Sequence, residues 1–401
     1  MPEAVIVATS RTPIGRANKG SLVDARPDDL TAFVLQDVLG KVPALDPADV
    51  EDVMLGCGQP AGEAGYNLAR VAAVMAGMDD VPGVTVNRYC SSSLQTIRMA
   101  AHAIKAGEGD VFISAGVETV SRYLHGASDT GPHNEAFSEG EARTATRAEG
   151  GADTWKAPSH LPDIYIAMGQ TAENVCQIED VSRQEMDEWG VRSQNRAVES
   201  QENGFFDREI TPYTLPDGTV VSKDDGPRPG TTYEKVSQLN PVFRPDGMVT
   251  AGNACPLNDG AAAVVVMSDT KAEELGVTPI ARVVSSGVTG LNPEIMGMGP
   301  VGASRQALDR AGMTMDDIDL VEINEAFAVQ VLASAKHLGI DLDKLNVKGG
   351  SIALGHPFGM TGARIMTTLL NALEDEDKEF GLETMCVGGG QGMAMIVQRL
   401  N

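Results

Sequence analysis

Short apolar runs alternate with helically spaced apolar positions along most of the chain. Val5-Ile6-Val7, Val53-Met54-Leu55, Val84-Thr85-Val86 and Val111-Phe112-Ile113 are brief and rich in β-branched residues, the mark of buried strands. Residues 29–39 set Leu30, Phe33, Val34 and Val38 toward one helical face, and 67–76 reads as a helix of small residues. Residues 91–106 space Leu94, Ile97, Ala101 and Ile104 for a helix that Gly107 stops. Past residue 250 the alternation resumes, with strands expected at 261–267, 280–285 and 320–323 and helices at 303–311 and 325–338. This is the pattern of an α/β protein.

The stretch 121–249 departs from it. It is rich in Gly, Pro, Asp and Glu, with a Gly/Ala/Glu/Arg segment at 139–152, two polar helices expected at 163–178 and 182–203, and a hairpin signal at Pro216-Asp217-Gly218. It reads as an insertion between two α/β halves that share a plan. In the first, the 84–86 strand leads to Cys90, a helix, the strand at Val111 and Gly116. In the second, Val347 leads to a Gly-rich turn with His356, a helix over 359–373, the strand Met385-Cys386-Val387 and Gly388. The shared plan points to an internal duplication. The chain then divides into 1–120 with 250–272, an inserted 121–249, and 273–401.

Composition narrows the function. The 401 residues, 42% hydrophobic, are enough to bury a sizeable core and argue against disorder. A net charge of -25 leaves no basic footprint for nucleic acid and would be repelled by an acidic membrane surface. No run of 18 apolar residues suggests a membrane span, the opening residues lack the basic region of a signal peptide, and Gln398-Arg399-Leu400-Asn401 is no peroxisomal address. A cytoplasmic protein is expected. Its five cysteines, without CxxC spacing, fit reduced thiols better than a disulfide scaffold or structural zinc. An acidic chain that binds an anion must do so through a few placed cations.

Four residues stand where chemistry could be done. Cys90, in Asn87-Arg88-Tyr89-Cys90-Ser91-Ser92-Ser93, sits at a strand-to-helix junction, where helical N–H groups would favour a thiolate and lower its pKa, and where Ser91 or Ser92 could cap the helix. His356 lies in a Gly-His-Pro turn before a helix, which favours a neutral base. Cys386 precedes Gly388-Gly389-Gly390, a run suited either to a tight hairpin or to backbone N–H groups approaching a ligand. Asn324 marks another strand-to-helix junction, where it could simply cap the helix. Singly, each has such an ordinary explanation. Their convergence at strand ends in two matched halves suggests a site for acyl transfer or hydrolysis through a thioester.

The chain resembles the thiolase family along essentially its whole length. The resemblance is carried by Arg11-Thr12-Pro13-Ile14-Gly15, Asn87-Arg88-Tyr89-Cys90-Ser91-Ser92, Thr250-Ala251-Gly252-Asn253-Ala254, Leu257-Asn258-Asp259-Gly260-Ala261-Ala262 and Met296-Gly297-Met298-Gly299-Pro300. Asn324-Glu325-Ala326-Phe327, Ala353-Leu354-Gly355-His356-Pro357-Phe358-Gly359 and Cys386-Val387-Gly388-Gly389-Gly390-Gln391-Gly392 complete it.

The resemblance implies a five-layered αβαβα fold of two duplicated halves with an inserted loop domain, assembled as a homodimer or homotetramer. It implies coenzyme A and acyl-CoA as substrates, with no bound cofactor and no metal. Cys90 would accept the acyl group, His356 would activate it, and Cys386 would move the proton at the acetyl α-carbon. Asn324 would hold a water that, with His356, binds the thioester oxygen, and backbone N–H groups of Cys90 and Gly388 would form a second oxyanion hole. Contacts to coenzyme A and substrate would come from Arg228, Phe243, Ala251, Cys255, Met168, Met296, Ser93 and Phe327.

Three departures from the family pattern bear on substrate. Ser93 replaces a usual Gly and could narrow the acyl pocket or bond a neighbouring backbone group. Ala167 stands where acetoacetyl-specific members carry His, and Cys255-Pro256 replaces Ser-Gly. The expected reaction is cleavage of 3-ketoacyl-CoA by CoA, or the reverse condensation, in fatty-acid β-oxidation; an acetoacetyl-specific biosynthetic enzyme is the alternative. A ketoacyl synthase would use a second His in place of Cys386, a hydrolase would leave Cys386 unexplained, and a non-catalytic acyl-CoA-binding protein would be expected to lack one of the four residues. No partner among other β-oxidation enzymes can be named from the sequence.

Overall fold

The computed structural model describes residues 2–401. The chain opens with strands β1 (Ala4–Arg11) and β2 (Gly15–Arg16), helix α1 (Pro27–Gly40), β3 (Asp52–Cys57), α2 (Leu68–Met75), β4 (Gly83–Val86), α3 (Ser92–Ala106) and β5 (Val111–Thr119). A largely helical stretch follows: α4 (Ser138–Ala148), α5 (Met168–Ile178), α6 (Arg183–Glu202), the hairpin β6 (Tyr213–Thr214) and β7 (Val220–Val221), and α7 (Tyr233–Val236). The chain then runs through β8 (Asn258–Ser268), α8 (Asp269–Leu275), β9 (Ala281–Gly290), α9 (Gly299–Ala311), β10 (Leu320–Ile323), α10 (Ala328–Leu338), α11 (Ser351–Leu354) and α12 (Thr361–Asp375). The hairpin β11 (Phe380–Val387) and β12 (Gln391–Arg399) completes it.

Among the described residues, ten strands join in one hydrogen-bonded sheet of order β10-β11-β12-β9-β1-β8-β5-β3-β4, with β2 beside β8. The order is nearly palindromic about the β1–β9 joint. β3 and β5 run parallel, as do β10 and β11; β8 and β12 return antiparallel to β5 and β11, and β1 and β9 flank them. This is the expected duplication, seen as topology. The joint itself has only two paired positions, Val5↔Arg282 and Ile6↔Ala281.

Three apolar cores show how the two halves stack. Leu30, Val34 and Leu35 of α1 and Leu68 and Ala72 of α2 pack on Val53, Val111 and Val265. Ile97 and Ile104 of α3 and Leu369 and Leu373 of α12 fill the space between the inner faces of both groups of strands, against Ile6, Val264, Met385 and Met395. Ala303 and Ala307 of α9 and Val329 and Val331 of α10 cover Val321, Leu382 and Ile396 on the far side. The layers are therefore helix, strand, helix, strand, helix. The middle layer is tight: a Cβ on Gly362 of α12 would lie 2.2 Å from the backbone N of Leu94 on α3.

Several local expectations shift. The strand expected to feed the His356 turn shrinks to a single parallel bridge, Val321↔Leu345, in the place that β4 holds in the first half. Asn346 is the reason. Its φ of 47° breaks the extended run, and its carboxamide takes over the ladder by accepting from Ile323 N and donating to Ile323 O, both at 2.9 Å. Asn324 is not a helix cap either. α10 begins only at Ala328, because Asn324 N and Cys255 N bond across the connecting loop to Thr384 O and Ala326 O. Neither Ser91 nor Ser92 caps α3: Ser91 Oγ donates to Arg88 O and Ser92 Oγ to Tyr89 O. Gly107, at φ 77°, ends that helix as expected.

Because a methyl at position 362 collides with backbone rather than a movable side chain, Gly362→Ala should destabilise the fold by about 1–3 kcal/mol. A thermal melt with an unchanged midpoint would show that α3 and α12 can separate freely.

Candidate active site

Cys90 lies in a 3-10 turn, Tyr89–Ser91, between β4 and α3. Tyr89 just before it has φ 43°, a strained conformation for an aromatic residue and one that the sequence does not announce. Its ring packs over Gly388, whose would-be Cβ is 3.3 Å from Tyr89 Cγ. Gly388-Gly389-Gly390 is the loop of the β11–β12 hairpin, with Gly389 and Gly390 both at φ 74°. The hairpin reading of this run is correct, and the backbone N–H of Gly388 lies near enough to the Cys90 thiol to pull its pKa down. Gln391 fixes the peptide, donating to Gly388 O at 3.2 Å while accepting from Arg88 at 2.8 Å. One half of the molecule thus presents a sulfur and the other half an N–H beside it.

The expected low pKa of Cys90 is not found. The side chain is enclosed, and burial pushes the thiol up to about 11; the N–H groups of Gly388 and Cys90 pull the other way without overcoming it. The helix terminus is offset by the loss of water. Cys386, at the end of β11, is also pushed upward by burial and by its neighbours Cys90 and Cys255. Cys255 is raised too, by burial first and then by Cys90, so a third thiol lies near enough to feel the pair.

His356 is enclosed as well, and burial drives it down to about 3, with the charge of Arg364 adding to the effect. Its imidazole is held neutral. Its Nδ1 lies 2.6 Å from Thr361 Oγ1 and its Nε2 3.2 Å from Asn324 Nδ2. The loop is held to the first half by Glu118, whose carboxylate accepts from Gly58 N at 2.8 Å and Gly359 N at 2.9 Å. Burial raises Glu118 to about 7. The Asn324 loop is pinned by its neighbour Glu325, which accepts from Trp189, Ser193, Asn346 and Ile352 N at 2.6–3.0 Å. Asn324 is bonded through its N–H to the β11 backbone at Thr384 and through its carboxamide to the imidazole.

At Cys255 opens a cavity of about 370 Å³, lined also by Arg228, Phe243 and Ala251; Cys90, Cys386, His356 and Asn324 are not on its wall. These four of the expected coenzyme A contacts are together. The other four are not on its wall. Met296 is buried in the outer core with Val175 and Phe327. Phe327 meets Phe243 edge-on at 6.1 Å, one layer behind the cavity, and Met168 packs against that same core. Ser93 faces inward and accepts from Ala363 N at 2.9 Å, so its hydroxyl binds backbone instead of narrowing an acyl pocket.

Arg16 is a lining residue that the sequence reading missed. It directly follows Gly15, but only the pairing of β2 with β8, Arg16↔Asn258, brings it to the cavity. There it is the charge that Arg228 feels, so two cations stand together on an otherwise acidic protein.

Two thiols, a neutral imidazole and fixed backbone N–H groups, next to a cavity with two arginines, are the equipment of acyl transfer from an anionic thioester. Comparison with known proteins agrees. Residues 4–270 match the thiolase N-terminal domain and 277–399 the thiolase C-terminal domain. The chain is 43% identical to a 3-ketoacyl-CoA thiolase of Aeromonas salmonicida and 41% identical to a 3-oxoadipyl-CoA/3-oxo-5,6-dehydrosuberyl-CoA thiolase of Escherichia coli, each over 100% of both chains. The crystal structure of the Bacillus anthracis acetyl-CoA acetyltransferase superposes with a TM-score of 0.85 at 40% identity, covering 100% of this chain and 99% of that one. The chain belongs to the thiolase family and is an acyltransferase.

A buried thiol near 11 should be alkylated slowly at neutral pH. The rate of iodoacetamide labelling at Cys90, followed by mass spectrometry, should climb about tenfold per pH unit from 7 to 10. A plateau below pH 8 would mean that the resting enzyme already holds a thiolate.

Proposed function

We propose that the enzyme cleaves 3-ketoacyl-CoA with coenzyme A, and runs the reverse condensation, through an acyl-Cys90 intermediate. The observation that carries this reading is the Gly388 N–H set beside the Cys90 sulfur across the two halves, where it opposes the rise of the thiol pKa. His356, neutral and fixed, takes the Cys90 proton as the sulfur attacks the 3-keto carbon. The N–H groups of Cys90 and Gly388 receive the oxyanion. When the adduct collapses, the C2–C3 bond breaks, the acyl group stays on Cys90, and the electron pair forms the enolate of acetyl-CoA. His356 and Asn324, which also holds a water in this reading, stabilise the enolate oxygen, and Cys386 delivers the proton to its carbon. A coenzyme A thiol, giving its proton to Cys386, then takes the acyl group, and the leaving Cys90 sulfur recovers its proton from His356. A raised Cys386 suits a thiol that must carry a proton at neutral pH.

Longer 3-ketoacyl chains are the proposed substrates, supported by the 3-ketoacyl-CoA thiolases among its relatives and by Ala167, exposed at the start of α5, in place of a histidine. The alternative, an acetoacetyl-specific condensing enzyme, is favoured by the likeness to the acetyl-CoA acetyltransferase. Relative kcat/KM for acetoacetyl-CoA and longer 3-ketoacyl-CoAs decides, and a strict four-carbon preference would overturn the proposal. We place the enzyme in cytoplasmic β-oxidation; among the described residues no helix is long and apolar enough to cross a membrane. The proposed division is 1–120 with 250–272, 121–249 and 273–401; the switch to helical structure between β5 and β8 supports it. A homodimer or homotetramer is supported by β4, an open sheet edge, and by exposed Tyr66, Val74 and Met75 near it.

Cys90→Ser should abolish acyl-enzyme formation and lower turnover by at least about a thousandfold; near-native turnover would refute the nucleophile. Arg16→Ala and Arg228→Ala should each raise KM for coenzyme A about tenfold, with kcat within about twofold. An unchanged KM in both would mean that the arginines do not meet the ligand's phosphates.

A further inference from the structure

Arg364 of α12 is wholly enclosed. A guanidinium has five N–H donors and no acceptor, so it can only give protons to its neighbours. Its Nη2 donates to Ser351 Oγ at 2.8 Å. Ser351 Oγ lies 2.6 Å from Asn324 Oδ1, the length of an O–H···O bond rather than of an amide N–H to oxygen. The serine proton therefore goes to the carboxamide oxygen, and the amide N–H group is turned toward His356 Nε2. An N–H facing Nε2 requires a lone pair there. The ring proton must then sit on Nδ1, donating to Thr361 Oγ1, whose own proton goes to Pro357 O at 2.7 Å. Read from either end, the chain has the same direction.

We propose that Arg364, acting through Ser351, is a positioning residue that sets the polarity of the Asn324–His356 pair, holding the amide N–H toward the imidazole and keeping Nε2 free of its proton. The proposal rests on the roles given above to His356 and Asn324. In cleavage, Nε2 must first take the Cys90 proton and then, as N–H, face an enolate oxygen beside the amide N–H of Asn324. A flipped amide would turn an oxygen lone pair toward that same enolate.

The surroundings of Arg364 separate this role from simple charge balance. Glu322 and Glu383 face each other in register on β10 and β11 near Arg364, and burial raises both toward their neutral forms, with Arg364 opposing the rise. Yet Arg364 Nε and Nη1, and both Glu383 carboxyl oxygens, are buried without a hydrogen-bond partner among the described residues. The Glu383 carboxyl therefore makes no directed contact with the guanidinium. The directed contact of the guanidinium is the one to Ser351.

The test uses the full-length enzyme with ¹⁵N-labelled histidine, and long-range ¹H–¹⁵N correlations to read the His356 tautomer. Wild type should show the Nδ1–H form; an Nε2–H ring would overturn the proposal without any variant. Ser351→Ala removes the relay but leaves Arg364 and its carboxyls in place. It should admit the Nε2–H form, lower kcat for thiolysis about 10–100-fold and leave KM for coenzyme A within about twofold. A native tautomer and native kcat in this variant would overturn the proposal. A changed tautomer with native kcat would uphold the relay and refute instead the catalytic roles assigned to Asn324 and His356.

Discussion

The site depends on how closely α3 and α12 lie. Each helix begins just after a chemistry-bearing residue, Cys90 for one and His356 for the other, and each is followed by a strand at the heart of its own half. When Gly362 meets the Leu94 backbone, the two helix starts are brought to one place, and the strand ends of both halves converge there. Ser93 reinforces the contact by accepting from Ala363 N. A residue that the family pattern marks as a departure near the nucleophile is, in this fold, part of the seam between the halves.

Buried carboxylates then fix what the helices bring together. Glu118 reaches from β5 to the His356 loop, and Glu325 binds the Asn324 loop to α6, α11 and Asn346. Each accepts several hydrogen bonds, which is what makes a buried carboxylate tolerable. Burial has a second consequence. By excluding water it keeps His356 neutral and the thiols protonated, so the resting site holds uncharged groups whose protons can be handed from one to another. A charged thiolate–imidazolium pair would need water or further fixed dipoles to exist there.

Much of the fold was legible. The strands at β1, β3, β5 and β8, the helix α3 with its glycine stop, and the repeat of plan all follow from local periodicity. The misses share one physical origin: backbone groups bonded outside the local element, by a side chain in one case and by distant backbone in the other. Asn346 replaces a strand with its carboxamide, and the Asn324 loop bonds to strands on both sides, so α10 starts late. The four catalytic candidates were visible because each sits beside a glycine or a helix start. Arg16 and the Arg364 relay were not, since only pairings between distant segments place them. The expected thiolate was wrong for a related reason: a junction can be read from sequence, but the degree of enclosure cannot.

The duplication is imperfect at its two outer rims. The first half ends in β4, with one side of its backbone unpaired by this chain, whereas in the second half the corresponding position is stoppered by Asn346 on Ile323. A molecule adhesive at both rims could add copies end to end without limit, as a ribbon. One adhesive at a single rim can join only to the like rim of another copy, and growth stops at two. Asn346 thus blunts one rim with a single side chain, and among the described residues the other rim, β4, is left with its outer backbone groups open.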